Sequence, residues 1–145
     1  MKEYQSKFFN ELTTTELYEI MKVRSQVFHL EQNIHYLDHD DVDYDALHCF
    51  IKEDDHIIAY LRAYYTIDEV KIGRVLTVKR GQGLGKELMI KSIESIKEKM
   101  HTNIIKLDAQ KHAEGFYTKL GFITTSEIYL EEGIEHVDME LKIHG

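Results

Sequence analysis

The sequence predicts an α/β protein: one mixed β-sheet with helices on its faces. Three observations predict it. Segments of strand character alternate with segments of helical period along the whole chain. A strand-like run, Val70–Val78, leads through a glycine-rich loop directly into a helical pattern. No linker, repeat or low-complexity tract interrupts the 145 residues, so residues 1–145 read as a single domain.

Each element has a local reason. Lys2–Phe9 is a first strand. Thr13 to about Leu30 reads as a helix: Thr13, Thr14 and Thr15 offer N-caps, Glu16 lies three after Thr13 as in a capping box, and Leu17, Ile20, Met21, Val23, Val27 and Phe28 recur at helical spacing. Asn33–Asp45 is polar and irregular, a loop. Leu47–Lys52 and Ile57–Tyr65 are strands about the turn Glu53-Asp54-Asp55-His56, and Val70–Val78 is another. Leu84–Met100 is helical, with Leu84, Leu88, Met89, Ile93 and Ile96 on one side. Asn103–Ala109 is a buried-type strand, Lys111–Leu120 a short helix stopped by Gly121, and Phe122–Leu130 with Ile134–Ile143 a hairpin about Glu131-Glu132-Gly133.

Composition excludes several classes. The 43% hydrophobic content argues against disorder. A single cysteine, Cys49, cannot form an internal disulfide, and its apolar strand suggests a buried, inert thiol. No apolar run approaches a membrane span, and the N-terminus lacks a signal-peptide core, so a cytoplasmic protein with no membrane partner is expected. The net charge of −8 speaks against nucleic acid as partner. It is unevenly spread: −9 over residues 1–70, +6 over residues 71–119 and −5 over residues 120–145. The basic island suggests an anionic ligand held by the middle of the chain.

Within that island lies Arg80-Gly81-Gln82-Gly83-Leu84-Gly85-Lys86, between strand and helix. Its glycines allow close backbone approach, and the free N–H groups of the first helical turn favour negative charge. It is not a P-loop: Arg80 stands where the first glycine is needed and Glu87 where the hydroxyl is needed. Neither register satisfies the dinucleotide fingerprint, since Lys86 or Leu88 falls on its last glycine. What fits is Arg/Gln-x-x-Gly-x-Gly/Ala, as Arg80-x-x-Gly83-x-Gly85, which resembles the coenzyme-A loop of the GNAT N-acetyltransferase superfamily. About 25 residues on, Ala113-Glu114-Gly115-Phe116-Tyr117-Thr118-Lys119-Leu120-Gly121-Phe122 is similar to that superfamily's A-x-x-F-Y-x-K-x-G-F helix, with Gln110 at the position of its asparagine. Arg24-Ser25-Gln26-Val27-Phe28-His29-Leu30-Glu31-Gln32, then Tyr36-x-Asp38-x-Asp40, and the tail Gly133-Ile134-Glu135-His136-Val137-Asp138-Met139 resemble the ElaA-type branch. One departure is a shorter passage from Arg74-Val75 to Arg80 than the branch leads one to expect.

The resemblance implies an acyl-CoA N-acyltransferase fold of about six to seven mostly antiparallel strands flanked by helices. It also implies transfer of an acetyl group from acetyl-CoA to a primary amine, small or peptidyl, with no metal. Arg80, Gly81, Gln82, Gly83, Leu84, Gly85 and Lys86 would cradle the pyrophosphate, and backbone groups of Leu76, Thr77 and Val78 would hold the thioester oxygen and pantetheine, with Gln110 and Phe116 beside them. Tyr117 is the candidate general acid, unless its hydroxyl is merely bonded to backbone. His136 is a candidate general base, with Glu31 and a water relay as rivals.

Arg24, Phe28, Glu31 and Gln32 share one helical face, which either packs structurally or lines the acceptor pocket. The acidic run Asp38–Asp45 fails the calcium-loop pattern at Ala46 and Lys52, which leaves a solvated or substrate-facing loop. Two other functions remain compatible with the chain: an acyl-homoserine-lactone-synthase-like enzyme, and a coenzyme-A-binding sensor without catalysis. A homodimer is expected by analogy with related folds.

Overall fold

The structure is a computed structural model that describes residues 1–34 and 37–143. His35, Tyr36, His144 and Gly145 lie outside the described residues, and with them the tyrosine of the ElaA-like Tyr36-x-Asp38-x-Asp40 segment.

Eight strands form one sheet: β1 (Lys2–Phe8), β2 (Leu47–Glu53), β3 (His56–Tyr65), β4 (Val70–Thr77), β5 (Ile104–Gln110), β6 (Ile123–Thr124), β7 (Tyr129–Glu131) and β8 (Ile134–Lys142). They lie in the order β1-β2-β3-β4-β5-β8, with β6 and β7 both paired to the outer edge of β8. Every pairing is antiparallel except β4 with β5. The expected run Phe122–Leu130 is divided because Ser126 Oγ accepts the Asp138 N–H at 2.9 Å, so a hydroxyl takes the place of a ladder carbonyl.

Helices cover both faces. On one face α3 (Leu84–Lys99) sets Leu88, Met89, Ile93 and Ile96 against Cys49, Leu61, Ile72, Leu107 and Met139. On the other, α1 (Thr14–Arg24) packs Ile20 and Val23 on Phe50, Ile57 and Tyr60. The Thr13 capping box is formed: Glu16 N–H donates to Thr13 Oγ1 at 3.0 Å, and Thr13 N–H to Glu16 Oε1 at 2.9 Å. Cys49 is fully buried, and desolvation pushes its thiol up to about 11.

Two expectations are corrected. The first helix does not run to Leu30 as one α-helix. It ends at Arg24, and Ser25–Glu31 continues as a wider π-helical turn, with Gln32 N–H donating to the Val27 carbonyl at 3.0 Å. The acidic run is solvated only in part. It carries a short helix, α2 (Val42–Asp45), buries Asp38 and Asp43, and sets the exposed Asp40 against Arg62, so that the three aspartates meet three arginines.

Arg24, fully buried, donates from Nε to Asp38 Oδ2 at 2.8 Å and from Nη1 to Asp43 Oδ1 at 2.8 Å. Arg62 Nη1 donates to Asp43 Oδ1 at 2.9 Å and Asp40 Oδ1 at 2.6 Å, and Arg74 Nε to Asp38 Oδ1 at 3.0 Å. Burial alone would push the Asp43 carboxyl up, but Arg24 and Arg62 outweigh it and hold it below the usual range. A neutral relay continues inward. Tyr60 and His48 Nδ1 lie 2.7 Å apart, and His48 Nε2 lies 2.9 Å from the Asp43 carbonyl. A carbonyl only accepts, so the proton sits on Nε2 and Tyr60 donates to Nδ1. Desolvation lowers the His48 pKa.

Two outcomes follow. Asp43→Ala takes one of two carboxylate partners from each of two buried guanidinium groups, Arg24 and Arg62, and should cost about 3 kcal/mol in denaturant unfolding, whereas wild-type stability would show the network to be dispensable. Because His48 resists protonation when folded, stability should fall as pH drops below about 6.5, where the unfolded chain binds a proton the folded one refuses. His48→Gln should flatten that part of the Tm-against-pH curve.

Candidate active site

The site begins at a fault in the sheet. β4 and β5 pair only over Val70–Ile72 and Ile105–Leu107, and beyond those residues they part. The parting coincides with a bulge in β4. Gly73 faces Arg62 and Leu76 faces Tyr60, so Arg74 and Val75 together oppose the single residue Leu61. Arg74 adopts φ 54°, a left-handed conformation that costs a non-glycine residue about 1–2 kcal/mol. Asp38 holds it there, accepting Arg74 Nε at its carboxylate and Arg74 Nη2 at its carbonyl, the latter at 2.8 Å.

Past the bulge the ladder with β3 resumes, and Val78 N–H donates to the Ile58 carbonyl at 2.9 Å. Antiparallel ladders alternate, so the N–H and C=O of Thr77 point away from β3, toward the side that β5 has left. The gap is a cleft of about 860 Å³. Leu76, Thr77, Val78, Arg80 and Gly85 line one side, and Gln110, Phe116, Tyr117 and His136 the other. The π turn closes one end with Phe28, Glu31 and Gln32.

At its mouth the chain turns through Gly81 and Gly83, both at left-handed φ of 75° and 72°, into the first turn of α3. Gly81, Gln82, Gly83 and Lys86 are not among the lining residues; they form the open rim of the loop. Leu84 buries its side chain in the core and offers the loop only its backbone. At Gly85 a Cβ would stand 3.4 Å from the Phe116 ring, so the glycine lets α3 pass close to Phe116 of α4 (Glu114–Lys119). Gln110 bridges the cleft, donating from Nε2 to Gln32 Oε1 at 3.3 Å while Oε1 faces His112 Nε2 at 2.7 Å.

Tyr117 is 8% exposed and wedged between Phe116 and Phe122, with ring centroids 5.1 and 5.9 Å away. Its hydroxyl has no hydrogen-bond partner among the described residues, and burial pushes it up to about 12, so it stays protonated. His136, also 8% exposed, holds Nδ1 2.8 Å from the Ile134 carbonyl. A carbonyl only accepts, so that contact places a proton on Nδ1 and leaves Nε2 as the ring nitrogen that faces the cleft. Tyr129 stacks on the imidazole at 6.0 Å and donates its hydroxyl to Asp138 Oδ1 at 2.6 Å.

Of the predicted helical face, Phe28, Glu31 and Gln32 reach the cleft, but Arg24 does not; it is buried in the carboxylate network behind the cleft wall. Sequence reading also missed Tyr64, Lys71, Gly73, Asp108, Glu131 and Glu132, which line the same space. Lys71 and Asp108, ion-paired at 2.8 Å, carry no motif that marks them; Glu131 and Glu132 had been visible only as a turn.

Comparison with known proteins agrees with this geometry. The acetyltransferase (GNAT) domain family matches residues 13–143. Protein ElaA of Escherichia coli is 34% identical over 99% of this chain and 98% of its own. Its crystal structure superposes with a TM-score of 0.92 over 98% of this chain and 100% of that one. An acyl-CoA N-acyltransferase from Pseudomonas aeruginosa, 33% identical, gives 0.89 over 97% and 99% of the two chains. BjaI, a CoA-dependent acyl-homoserine lactone synthase, shares the fold at a TM-score of 0.86 over 99% of this chain and 84% of its own, with 14% identity. The chain therefore belongs to the GNAT acetyltransferase family, is similar throughout to its ElaA members, and is an acyltransferase with the acyl-CoA N-acyltransferase fold.

Proposed function

We propose that the protein transfers the acetyl group of acetyl-CoA directly to a primary amine, with Tyr117 as general acid and His136 as general base. The observation that carries this reading is Tyr117: nearly buried, its hydroxyl protonated and without a hydrogen-bond partner among the described residues, and lining a cleft that a parted sheet has opened.

The backbone N–H groups of the Arg80–Lys86 loop and the first turn of α3 suit a pyrophosphate, with Arg80 adding positive charge. The outward peptide groups of Thr77, between Leu76 and Val78, give a pantetheine arm the pairing that β5 no longer supplies, and an N–H donor for the thioester oxygen. The amine nitrogen attacks the thioester carbonyl carbon, a C–N bond forms, and the C–S bond breaks. The leaving sulfur takes the Tyr117 proton. Burial that raises the phenol also raises a thiol leaving into the same cleft, which limits how far the two are driven apart. The surplus proton on nitrogen passes to His136 Nε2, and exchange with solvent resets the pair. No enzyme nucleophile is needed, consistent with a thiol at Cys49 that is buried and pushed up to about 11.

Tyr117→Phe should lower kcat at least about tenfold, toward the 10²–10⁴ range of acid catalysis, while calorimetry finds acetyl-CoA affinity unchanged. Unchanged kcat would remove Tyr117 from the chemistry. His136→Ala should abolish the acidic limb of the pH–rate profile; a retained limb would move the base to Glu31 or to a water relay. S-adenosylmethionine offered as the acceptor should give no product, and product formation would favour the lactone-synthase reading.

A further inference from the structure

The charges lining the cleft do not cancel, and the surplus is sorted by position. Four cations line it: Arg62, Lys71, Arg74 and Arg80. Arg62 is bonded to Asp40 and Asp43, Arg74 to Asp38, and Lys71 to Asp108. That leaves Arg80, beside the glycine loop. Four carboxylates line the same space: Glu31, Asp108, Glu131 and Glu132. With Asp108 matched to Lys71, the carboxylates of the other three, all on exposed residues, have no ion pair or hydrogen bond with any described residue. Lys111, at the turn into α4, is already bonded to Glu114 at 2.7 Å.

The three carboxylates flank His136 from two sides. Glu131 pairs with Ile134 across β7 and β8, two residues along β8 from His136, and Glu132 follows in the turn. Glu31 ends the π turn next to Gln32, whose side chain is bonded to Gln110, the β5 residue in register with His136. The same cleft is lined by two nearly buried residues whose polar atoms, Tyr117 Oη and His136 Nε2, have no hydrogen-bond partner among the described residues. Those atoms mark where a ligand reacts; the carboxylates mark the charge of what lies beside it.

We propose that the acceptor carries a second cationic group in addition to the amine that is acetylated, and that Glu31, Glu131 and Glu132 hold it. The proposal rests on the acetyl-transfer reading of the cleft. Glu131 faces Ile134, two residues along β8 from His136, a backbone offset of about 7 Å, so a short alkyl diamine, or a chain end that carries two amines, is the class of acceptor to test. A carboxylate in place of the second ammonium is disfavoured by like-charge repulsion.

The test uses three acceptors of similar length with acetyl-CoA: 1,4-diaminobutane, 1-aminopentane and 5-aminopentanoate. The diamine should have the highest kcat/KM, about tenfold or more above 1-aminopentane, the aminopentanoate the lowest, and the gap should narrow at high salt. A Glu131→Gln, Glu132→Gln double variant should remove the diamine's advantage through KM. Equal efficiency for diamine and monoamine, or a preference for the aminopentanoate, overturns this proposal and leaves acetyl transfer intact. Turnover of none of the three by a protein that acetylates another primary amine overturns this proposal alone; no turnover of any primary amine, small or peptidyl, by a protein that binds acetyl-CoA overturns both.

Discussion

The cleft depends on Asp38. Its carboxylate and carbonyl together hold Arg24, from the end of α1, and Arg74, from the bulge in β4. Those arginines sit at the roots of two cleft walls: the π turn follows Arg24, and the outward-facing stretch of β4 follows Arg74. A buried ionic network of this kind is often no more stabilising than apolar packing of the same volume. Its contribution is geometric. Apolar side chains could fill the space, but they could not hold Arg74 in a left-handed conformation that its own Cβ resists. Without that twist β4 would continue in register, and the cleft would lose one side.

The other side depends on how β5 is anchored. It makes seven residue pairs with β8 and three with β4. β4 is likewise bound to β3 on its far edge. Each strand is secured from outside the gap, so the sheet can open there without coming apart. An unpaired strand edge is ordinarily a liability, open to pairing with other chains. This one is short and lies between the π turn and α4, accessible to a thin extended ligand and closed to another strand.

What was legible in the sequence was local. The Thr13 capping box, the apolar side of α3, the glycine loop and the Phe116-Tyr117 pair each depend on neighbours within a few residues, and each formed as read. What was illegible depends on contacts far along the chain or on small changes of period. Seven residues are too few to tell a π turn from an α-helix by apolar spacing, so Arg24 was placed with Phe28 when the wider turn sends them to different surroundings. The β4 bulge carries no glycine at its left-handed position, because Asp38, thirty-six residues earlier, does what glycine would otherwise do. The acidic loop looked solvated because its partners stand on α1, β3 and β4.

That same loop changes how the chain's charge is understood. The first seventy residues carry a balance of −9, which by itself suggests an acidic surface. Part of that acidity is matched inside the protein: Asp38, Asp40 and Asp43 pair with three arginines, Asp38 and Asp43 out of reach of solvent, and Glu16 pairs with Lys7 and Lys52. The basic island from residue 71 is also partly internal, since Arg74 and Lys71 are matched by Asp38 and Asp108. Once matched charges are set aside, what acts on a ligand in the cleft is a small, polarised set: Arg80 at the helix end, with its free N–H groups, and Glu31, Glu131 and Glu132 around His136. Net charge could not have shown this, because a sum does not distinguish a carboxylate that neutralises a buried guanidinium from one that faces an empty cleft.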